Sequence, residues 1–276
     1  MIDNRSSFPC LLSGGRRCAL PRPALMEILN ATPDSFSNEG KAVTAENAVS
    51  LVAGQADILD VGGESTRPGS TPVSEKEELL RVIPVLMTLR KTFPNIPISI
   101  DTSKPAVAYA ALANWADILN DVTAMEDPEM AECVKLYQCS VILMHNHPVP
   151  EDKDFLAELI RFFRERVDAC CEATGLPRWA FILDPGIGFH KTQAQNLLCI
   201  RGLPQLKEAF PDNPILIGHS RKSFLGNITG RPVTERGPAT IAGTAISTFL
   251  GADIIRVHDI PENLDALLVG RALESC

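Results

Sequence analysis

Short β-rich runs alternate with longer helical segments along almost the whole chain, and this alternation constrains the fold more than any other feature. The runs with the length and composition of strands lie at 24–30, 57–61, 96–101, 117–121, 140–145, 180–184, 214–218 and 253–258. Segments with helical periodicity lie at 74–91, 104–114, 127–136, 154–174, 192–209, 234–250 and 261–273. Ser74 and Asp127 are predicted to cap two of these helices. Eight such strands predict an α/β fold, a single (β/α)8 TIM barrel.

A doubly wound open sheet is the structural alternative to a barrel. Such a sheet normally carries a phosphate-binding GxGxxG or GxxxxGK(S/T) loop after an early strand, and the chain has neither pattern there. The length of 276 residues suits one undivided barrel domain, predicted over 24–276. We expect residues 1–23 to form a short, poorly structured N-terminal extension with at most a short strand at Cys18–Leu20.

The composition excludes several classes of partner. The net charge is −8 and the Lys and Arg residues are scattered, so no nucleic-acid-binding or anionic-membrane surface is expected. No apolar run approaches the ~18 residues that span a membrane. The eight cysteines include no CxxC pair, which predicts reduced thiols and a cytoplasmic protein.

The segment Asp60–Gly69 directly follows a predicted strand and is rich in groups that bind anions. It contains two adjacent glycines, then a carboxylate, two hydroxyl groups and an arginine. A connecting loop without a role is the alternative, because glycine and proline mark turns in all proteins. The density of polar groups just past a strand end favours a ligand site at the edge of the sheet.

Most of the predicted strands end in polar or charged residues. These residues are Asn30, Asp60, Asp101, Asn120, Asp121, His145, Asp184, Ser220, Arg221, Lys222, Arg256 and His258. In a barrel the carboxyl ends of the strands meet on one face, where such enzymes place their active sites. For any single Asp, a helix cap or an ion pair with a neighbouring cation is an equally good interpretation. The pattern over all the strands predicts the wall of one pocket.

The charges of this predicted pocket indicate what it binds. Its cations are Arg67, Arg221, Lys222, Arg256 and His258. They favour an anionic substrate, most naturally a phosphate or a diphosphate. Asp101 and Asp184 end apolar runs, so each is expected to be buried and to need paired donors such as the N–H groups of an aminopyrimidine-like ring. Asn120 can both donate and accept, which suits the neighbouring edge of the same ring.

Seven segments, in the same order along the chain, resemble motifs of the dihydropteroate synthases of folate biosynthesis. They are Asn30–Ser37, Asp60–Gly69, Ser99–Thr102, Asn120–Val122, Asp184–Phe189, Ser220–Phe224 and Arg256–Asp259. The resemblance runs from about Met26 to the C-terminus. It implies that the chain condenses p-aminobenzoate with 6-hydroxymethyl-7,8-dihydropterin diphosphate, giving 7,8-dihydropteroate and diphosphate.

The resemblance also implies how that reaction is catalysed. The catalytic residues that it indicates are Arg67, Lys222 and Asp101, and it places a magnesium ion at Asn30. Magnesium and the basic side chains stabilise the charge that builds on the departing diphosphate. No protein nucleophile is needed, and the chain accordingly has no GxSxG motif.

The same resemblance implies which residues bind the substrates. Around the pterin ring it places Asp101, Asn120, Asp184, Lys222 and Arg256. On a loop that closes over the substrates it places Ser65, Thr66, Arg67 and Pro68. Beside p-aminobenzoate and elsewhere in the substrate site it places Met144, Phe189, Ser223 and His258. It further implies a homodimer assembled through the late helices, and inhibition by sulfonamides.

Three residues depart from the motifs of this family. Glu27 stands where a small glycine is usual, and we expect its side chain to point into the barrel. Asn146 replaces a usual methionine near the pterin. His190 follows Phe189 where glycine is common, so we expect it to crowd the p-aminobenzoate end of the site.

Three other functions fit parts of the sequence. All five histidines lie at or just after predicted strand ends, and His145 with His147 forms the HxH pair of a metal-dependent hydrolase barrel, although the first strand carries no such pair. A pterin-binding methyltransferase barrel shares the Asp and Asn pattern but has no use for Ser65–Gly69 together with Ser220–Ser223. The departures from the family leave a barrel that binds without catalysing as the third.

Overall fold

The computed structural model describes residues 6–32, 43–52, 54–65 and 71–274. Their strands are β1 (Ser7–Leu12), β2 (Arg16–Pro21), β3 (Ala24–Asn30), β4 (Ile58–Gly62), β5 (Ile98–Asp101), β6 (Ile118–Asp121), β7 (Val141–Met144), β8 (Phe181–Asp184), β9 (Leu216–Ile217) and β10 (Ile254–Val257). Their helices are α1 (Ala48–Leu51), α2 (Glu75–Thr92), α3 (Pro105–Leu112), α4 (Pro128–Tyr137), α5 (Phe155–Thr174), α6 (Gln193–Arg201), α7 (Leu203–Ala209), α8 (Ser223–Thr229), α9 (Gly237–Phe249) and α10 (Ile260–Glu274). Within these described ranges, no helix has both the length and the apolar character that a membrane crossing requires.

Strands β3 to β10 form a parallel barrel in which the order along the chain is also the order in space. Each strand lies beside the next, and β10 pairs with β3. Between β8 and β9 the ring is joined by a parallel bridge from Leu183 to Ile215, and the Leu183 amide donates to the Pro214 carbonyl at 2.8 Å. The predicted TIM barrel is therefore confirmed, and each of the eight predicted strand runs overlaps a barrel strand.

Side chains along the barrel strands point alternately towards the helices and into the barrel. A continuous apolar cluster occupies the interior at the N-terminal end of the strands, and it includes Met26, Ile58, Ile118, Ile142, Ile182, Leu216 and Ile254. Two residues further along five of these strands stand Asp60, Asn120, Met144, Asp184 and Arg256. The interior therefore changes from apolar to mainly polar over one step of the pleat, and the polar step lies at the C-terminal ends of the strands.

An antiparallel hairpin of β1 and β2 covers the opposite, N-terminal end of the barrel. Phe8, Cys10 and Leu20 are buried and belong to the same apolar cluster as the interior residues at that end. The expectation of a poorly structured extension is therefore wrong over Ser7–Pro21, and the short strand expected at Cys18–Leu20 lies inside β2. Because prolines within both strands argue against strand structure, the periodicity alone did not indicate the hairpin.

All the predicted helices begin within one residue of the predicted position except α9, which begins at Gly237, three residues later than predicted, and several differ in their extent. The Ser74 side chain accepts from the Glu77 amide, and the Asp127 side chain accepts from the Glu129 amide, so both predicted caps are present. The single helix expected over 192–209 is divided into α6 and α7, with Pro204 in the first turn of α7 where it cannot continue an earlier helix. Helices α1 and α8 were not expected, and both are only one or two turns long.

Glu27 is buried on the outer side of the barrel wall. Its side chain is 3% exposed, and Leu25 and Leu29, which share its side of β3, belong to the cluster under the helices. Met26, by contrast, faces the interior cluster. The expectation that Glu27 points into the barrel is therefore wrong. It was based on the distance of Glu27 from the end of the strand, and that distance does not show which alternate residues face inward.

Candidate active site

Four buried polar side chains and one half-buried arginine, from five different strands, meet inside the C-terminal mouth of the barrel. We call them the interior polar layer, and they are Asp60, Asp101, Asn120, Asp184 and Arg256. Arg256 Nε donates to Asp60 Oδ2 at 2.6 Å and Arg256 Nη2 donates to Asp101 Oδ2 at 2.7 Å. Asn120 Nδ2 donates to Asp60 Oδ2 at 3.1 Å. One guanidinium and one amide therefore hold the carboxylates of β4 and β5 in fixed positions.

Two carboxylate oxygens of this layer are left without a donor. Within the described part of the chain, Asp60 Oδ1 and Asp101 Oδ1 are buried and accept no hydrogen bond. Burial raises the pKa of Asp101 to about 7, although the neighbouring Arg256 opposes that rise. A buried acceptor without a donor is costly, so these oxygens suit a ligand that carries N–H groups.

Asp184 lies on the neighbouring side of the layer, at the end of β8. Its Oδ1 accepts from the Gly186 amide at 2.7 Å, which fixes the carboxylate against the turn that follows the strand. Burial raises the pKa of Asp184, and the positive charges of Lys222 and Arg256 counteract that effect. The carboxylate is thus buried near two cations. Among the described residues, no side chain donates a hydrogen bond to it.

Lys222 precedes helix α8, and its ammonium group points back towards β8. Lys222 Nζ donates to the Ile187 carbonyl and lies 4.4 Å from the ring centroid of Phe189. Burial lowers the pKa of Lys222 to about 8, with Asp184 acting in the opposite direction. Arg221, the residue before it, has a φ of +56° and forms a bidentate ion pair with Asp259, which fixes the turn that directs Lys222 inward.

His258 stands just beyond the end of β10 and is linked to the loop after β9. Its Nδ1 lies 2.9 Å from the hydroxyl oxygen of Ser220. Its backbone amide also donates to that oxygen, at 3.4 Å. The Ser220–His258 contact therefore ties together the two loops that carry the basic residues of the mouth.

A cavity of about 700 Å³ opens beside the interior polar layer. Its lining includes Asp101 at the end of β5 and, from the loops after β5, β7 and β8, Lys104, Asn146, Phe189 and Lys191. The Asn146 side-chain oxygen is buried and accepts no hydrogen bond from the described residues. The cavity is large enough for a substrate of two rings, and it is continuous with the layer through Asp101.

His190 also lines this cavity, and its backbone adopts a conformation that favours glycine. The φ of His190 is +49°, in the left-handed region that favours glycine. Its side chain is exposed and follows directly on Phe189. The histidine therefore stands at the cavity, and its crowding of p-aminobenzoate stays a prediction.

His145 serves packing and loop attachment in this structure. Lys191 Nζ donates to its Nδ1 at 3.2 Å and to its carbonyl oxygen at 2.9 Å, and its ring packs on the edge of Phe162 with centroids 4.7 Å apart. Burial lowers the pKa of His145 to about 3, so the ring is neutral. Among the described residues, no group of three or more His, Cys, Asp or Glu side chains is placed to hold a metal ion, so the hydrolase interpretation lacks its metal centre there.

The remaining predicted site residues are distributed around the same mouth. Met144 is buried and pairs in register with Asp184, whereas Asn30 is half-buried at the end of β3 beside Gly62. Ser65 lines the cavity, and Ser223 is exposed in the first turn of α8. Thr66, Arg67 and Pro68 lie outside the described residues, as do residues 33–37 of the first motif.

Asp60 is the member of the layer that the sequence did not assign to substrate binding. The sequence placed it only among the strand-end residues of the pocket wall, whereas in the structure it faces the interior and contacts both Arg256 and Asn120. The available signal was its position two residues after the interior residue Ile58, which matches the step from Ile182 to Asp184 on β8.

Comparisons with known proteins place this geometry in a family. A sequence model of the pterin binding enzymes matches residues 26–258. The dihydropteroate synthase of Clostridium beijerinckii is 42% identical over 248 residues, which cover 88% of this chain and 91% of that protein. The solved structure of Xanthomonas albilineans dihydropteroate synthase with 4-aminobenzoic acid has a TM-score of 0.88 at 40% identity, covering 98% of this chain and 100% of that one. The structure of Burkholderia cenocepacia dihydropteroate synthase complexed with 7,8-dihydropteroate has a TM-score of 0.82 at 36% identity and covers 98% of each chain.

The chain belongs to the pterin binding enzymes, and within that family to the dihydropteroate synthases. Its class is accordingly that of a transferase in folate biosynthesis. The similarity extends over nearly the full length of the relatives, so it includes every strand of the barrel. This assignment replaces both the methyltransferase and the hydrolase interpretations.

Proposed function

We propose that the chain condenses p-aminobenzoate with (7,8-dihydropterin-6-yl)methyl diphosphate at the C-terminal mouth of the barrel, releasing 7,8-dihydropteroate and diphosphate. The observation that carries the proposal is the pair of buried acceptors without donors, Asp60 Oδ1 and Asp101 Oδ1, next to a third buried carboxylate, Asp184. The relatives solved with 4-aminobenzoic acid and with 7,8-dihydropteroate support the proposed second substrate and the proposed product.

The pterin ring fits the interior polar layer. Its aminopyrimidine edge presents N–H groups, which suit the Asp101 and Asp184 carboxylates, and Asn120 can meet the adjoining edge with either end of its amide. Lys222 lies near Asp184 and supplies a donor for a ring oxygen or nitrogen. Arg256 already lies across the layer between two carboxylates, where its guanidinium plane offers a surface for the ring to stack on.

The reaction needs charge stabilisation more than a nucleophile from the protein. The amine nitrogen of p-aminobenzoate forms a bond to the exocyclic methylene carbon, the carbon–oxygen bond to the diphosphate breaks, and the amine loses a proton. Arg67, Arg256 and His258 stabilise the negative charge on the departing diphosphate. Asp101 and Lys222 act on the pterin itself, holding the ring whose electrons stabilise the developing positive charge on the methylene group.

The p-aminobenzoate is proposed to lie in the cavity next to Phe189. The Lys222 ammonium lies over the Phe189 ring, so one face of that ring is fixed and the other is available to the aryl group. Ser223 at the start of α8 is proposed to meet the carboxylate of this substrate, and the segment from Ser65 through Pro68 is proposed to close the site. Sulfonamides, which mimic p-aminobenzoate, are the inhibitors that this arrangement implies.

A magnesium ion is the proposed cofactor, and Asn30 is its proposed ligand. The described residues contain no preformed cluster of acidic or His ligands, so they do not suit a tightly held structural metal. A single amide oxygen suits magnesium, which commonly keeps several waters and takes further ligands from substrate phosphates. When bound, the ion supplies charge neutralisation for the diphosphate, and Asn30 orients it at the end of β3.

The proposed assembly is a homodimer through α9 and α10, and the proposed location is the cytoplasm. Large apolar side chains are exposed on these two adjacent helices: Ile246 (52%), Phe249 (49%), Leu268 (48%), Val269 (56%) and Leu273 (58%). Such a cluster is unusual on the surface of a monomer and is typical of an interface. The free state of the seven described cysteines is compatible with a reducing compartment.

A crystal structure soaked with pterin diphosphate and p-aminobenzoate tests the proposed site directly. We expect the aminopyrimidine edge within hydrogen-bond distance of Asp101 and Asp184, with the aryl group beside Phe189. Density for the pterin outside the barrel mouth would contradict the assignment of the layer. Density for the pterin in the layer but for p-aminobenzoate away from Phe189 would limit the error to the second substrate.

A further inference from the structure

The hairpin of β1 and β2 carries two cysteines that stand directly opposite each other. Cys10 on β1 pairs in register with Cys18 on β2. Directly opposite residues of an antiparallel pair lie on the same face of the ribbon. That face lies against the N-terminal end of the barrel, because both cysteines pack with the interior apolar cluster. The two thiols are therefore neighbours, and both are free in the structure.

The backbone bonds of the hairpin set the distance between these cysteines. The Arg22 amide donates to the Ser6 carbonyl at 2.7 Å, which makes these two residues a hydrogen-bonded pair. Such pairs recur at every second position of an antiparallel ladder, so Cys10 and Cys18 form another. A pair of this kind has its Cα atoms about 5.5 Å apart, which lies inside the range that a disulfide bridges.

The hairpin is held in place on the barrel close to the cysteine pair. The Leu11 amide donates to Ser140 Oγ at 2.9 Å, and the Leu11 carbonyl accepts from the Ser140 amide at 2.8 Å. Arg16 Nη2 donates to Asp117 Oδ1 at 2.8 Å. Both strands of the hairpin are thus bonded to the barrel, and the fold itself keeps the two thiols side by side.

The two thiols differ in exposure and in acidity. Cys10 is fully buried, whereas Cys18 is half-buried. Their mutual contact raises the pKa of Cys10 and lowers the pKa of Cys18. A thiol with a lower pKa is more often a thiolate, which is the form that attacks a disulfide. Cys18 therefore has the properties of an attacking cysteine, and Cys10 those of the resolving cysteine beside it.

The geometry of the ribbon favours a bridge that opens again easily. The Cβ atoms of directly opposite residues lie about 4.5–5.5 Å apart, whereas those of an unstrained disulfide lie about 3.8 Å apart. Closing the bridge must draw the two strands together, and a strained disulfide is more easily reduced. The pair should stay reduced in a reducing compartment and should close when the surrounding thiols become oxidised.

We propose that Cys10 and Cys18 form a reversible disulfide that responds to oxidation of low-molecular-weight thiols and fastens the hairpin at the N-terminal end of the barrel. The inference does not depend on the proposed function, since the active site lies at the other end. The partner is a small disulfide of the glutathione type, which accepts the two electrons that the protein thiols lose.

The exchange has two steps. The Cys18 thiolate attacks one sulfur of glutathione disulfide, which leaves a mixed disulfide on Cys18 and releases one glutathione thiolate. Cys10 gives its proton to that thiolate and attacks the Cys18 sulfur, which forms the protein disulfide and releases the second glutathione. The second glutathione takes up the proton that Cys18 had lost. Two protein thiols are oxidised, and one glutathione disulfide is reduced to two thiols.

Mass spectrometry of the full chain after treatment with glutathione disulfide tests the proposal. Trypsin cuts after Arg16 and Arg17, between the two cysteines, so the bridge should hold peptide 6–16 to the peptide that begins at Cys18. Free thiols are blocked before digestion, and excess reduced glutathione added to a parallel sample should abolish the linked product. Absence of the linked peptides, or a bridge from Cys10 to the nearby Cys139, would overturn the proposal.

Single substitutions separate the two roles. Cys10→Ser should stop at the mixed disulfide of Cys18 with glutathione, because the resolving thiol is missing. Cys18→Ser should leave Cys10 reduced, because Cys10 is buried. Cys171→Ser, which removes another half-buried cysteine, is the matched control and should form the bridge as wild type does. Reaction of Cys10 in Cys18→Ser at the rate at which Cys18 reacts in wild type would overturn the assigned order of attack.

Thermal unfolding shows whether the bridge fastens the hairpin. A disulfide that closes the loop over residues 10–18 restricts the unfolded chain, so oxidised wild type should unfold about 2–8 °C above the reduced form. Cys10→Ser should show no such increase under the same treatment. Equal midpoints for the oxidised and reduced forms of wild type would overturn the fastening role.

Discussion

Arg256 on β10 and Asp101 on β5 are joined across the barrel mouth, with Arg256 Nη2 2.7 Å from Asp101 Oδ2. They are separated by 155 positions in the sequence, yet the same guanidinium also holds Asp60 at 2.6 Å. Although burial opposes it, the pairing with these carboxylates raises the pKa of Arg256. The cation is therefore permanently charged, and it leaves the buried Oδ1 atom of each carboxylate without a donor and available to a ligand.

Pterin affinity should depend on the ionisation of Asp101. Burial raises the pKa of this carboxyl to about 7, so it is increasingly protonated as the pH falls below that value. A protonated carboxyl has lost an acceptor for the ring N–H groups, so affinity for 6-hydroxymethylpterin should fall below pH 7, by up to about tenfold per pH unit. This ligand lacks the diphosphate, whose own titration would complicate the profile.

Calorimetry between pH 5.5 and 8.5 measures this dependence, with Asp101→Asn as the comparison. The amide does not titrate, so the variant should bind more weakly at pH 8 and lose the part of the slope that begins near pH 7. A slope at lower pH can persist from Asp184, whose pKa burial also raises. Identical profiles for wild type and Asp101→Asn would show that Asp101 does not meet the pterin.

Asp184→Asn should weaken pterin binding at every pH. One carboxylate oxygen accepts from the Gly186 amide, so the amide replacement must present a donor group either to that N–H or to the ligand, where an acceptor is needed. The expected loss is about 1–3 kcal/mol, or roughly tenfold to a hundredfold in Kd. Asp212→Asn, an exposed change before β9, serves as the control. Unchanged affinity in Asp184→Asn would remove this residue from the site.

Gly186→Ala and Gly175→Ala form a matched pair that tests the packing of the β8 loop. Both glycines have left-handed backbones, with φ of +70° and +74°. A Cβ on Gly175 meets nothing within 4 Å, whereas one on Gly186 would lie 2.2 Å from the His145 carbonyl oxygen. Gly175→Ala should cost about 1–2 kcal/mol for the backbone conformation alone. Gly186→Ala should cost at least about 2 kcal/mol more, since a backbone atom must move.

Denaturant unfolding measures both variants of this pair. Gly186→Ala should also reduce turnover, because the same turn positions Asp184 and leads to Phe189. Equal stabilities for the two variants would mean that the loops after β7 and β8 do not pack as closely as the structure indicates.

Charged substitutions on α9 or α10 should separate the proposed dimer. Phe249→Glu and Val269→Glu each place a carboxylate in the exposed apolar cluster, where it would be desolvated in the assembly. Leu136→Glu is the control, because Leu136 is 65% exposed on α4, away from these helices. Light scattering should give a dimer for wild type and for Leu136→Glu, and a monomer for the other two. A dimer that survives both substitutions would move the interface elsewhere.

The barrel and much of its site followed from local pattern. Each strand run is short, apolar and bounded by turn residues, and in a barrel a polar residue at a strand end has few places to point except the mouth. Asp101 and Asp184 were predicted on that ground alone, while the roles of Phe189 and Ser223 came from the family resemblance. To predict that Asp60 belongs to the layer and that Glu27 does not, one must also know which alternate residues of each strand face the interior.

What the sequence could not predict depends on contacts between distant segments. An ion pair between Lys104 and Glu78 joins positions 26 residues apart, and nothing in the periodicity of α2 marks Glu78 as buried rather than as one of the acidic residues of its first turn. The N-terminal hairpin was missed for a related reason. Its strands contain Pro9 and Pro21, and they are stabilised by burial against the barrel rather than by their own propensity.

The central claim is that this barrel mouth displaces diphosphate from a pterin by the amine of p-aminobenzoate. Its most direct test is the release of diphosphate by the purified chain with magnesium, both substrates present, and each substrate omitted in turn. We expect diphosphate and 7,8-dihydropteroate in equal amounts, formed only when both substrates are present and formed more slowly by Asp184→Asn at substrate concentrations that do not saturate the variant. No turnover at high enzyme concentration, or diphosphate release without p-aminobenzoate at the same rate, would contradict the account.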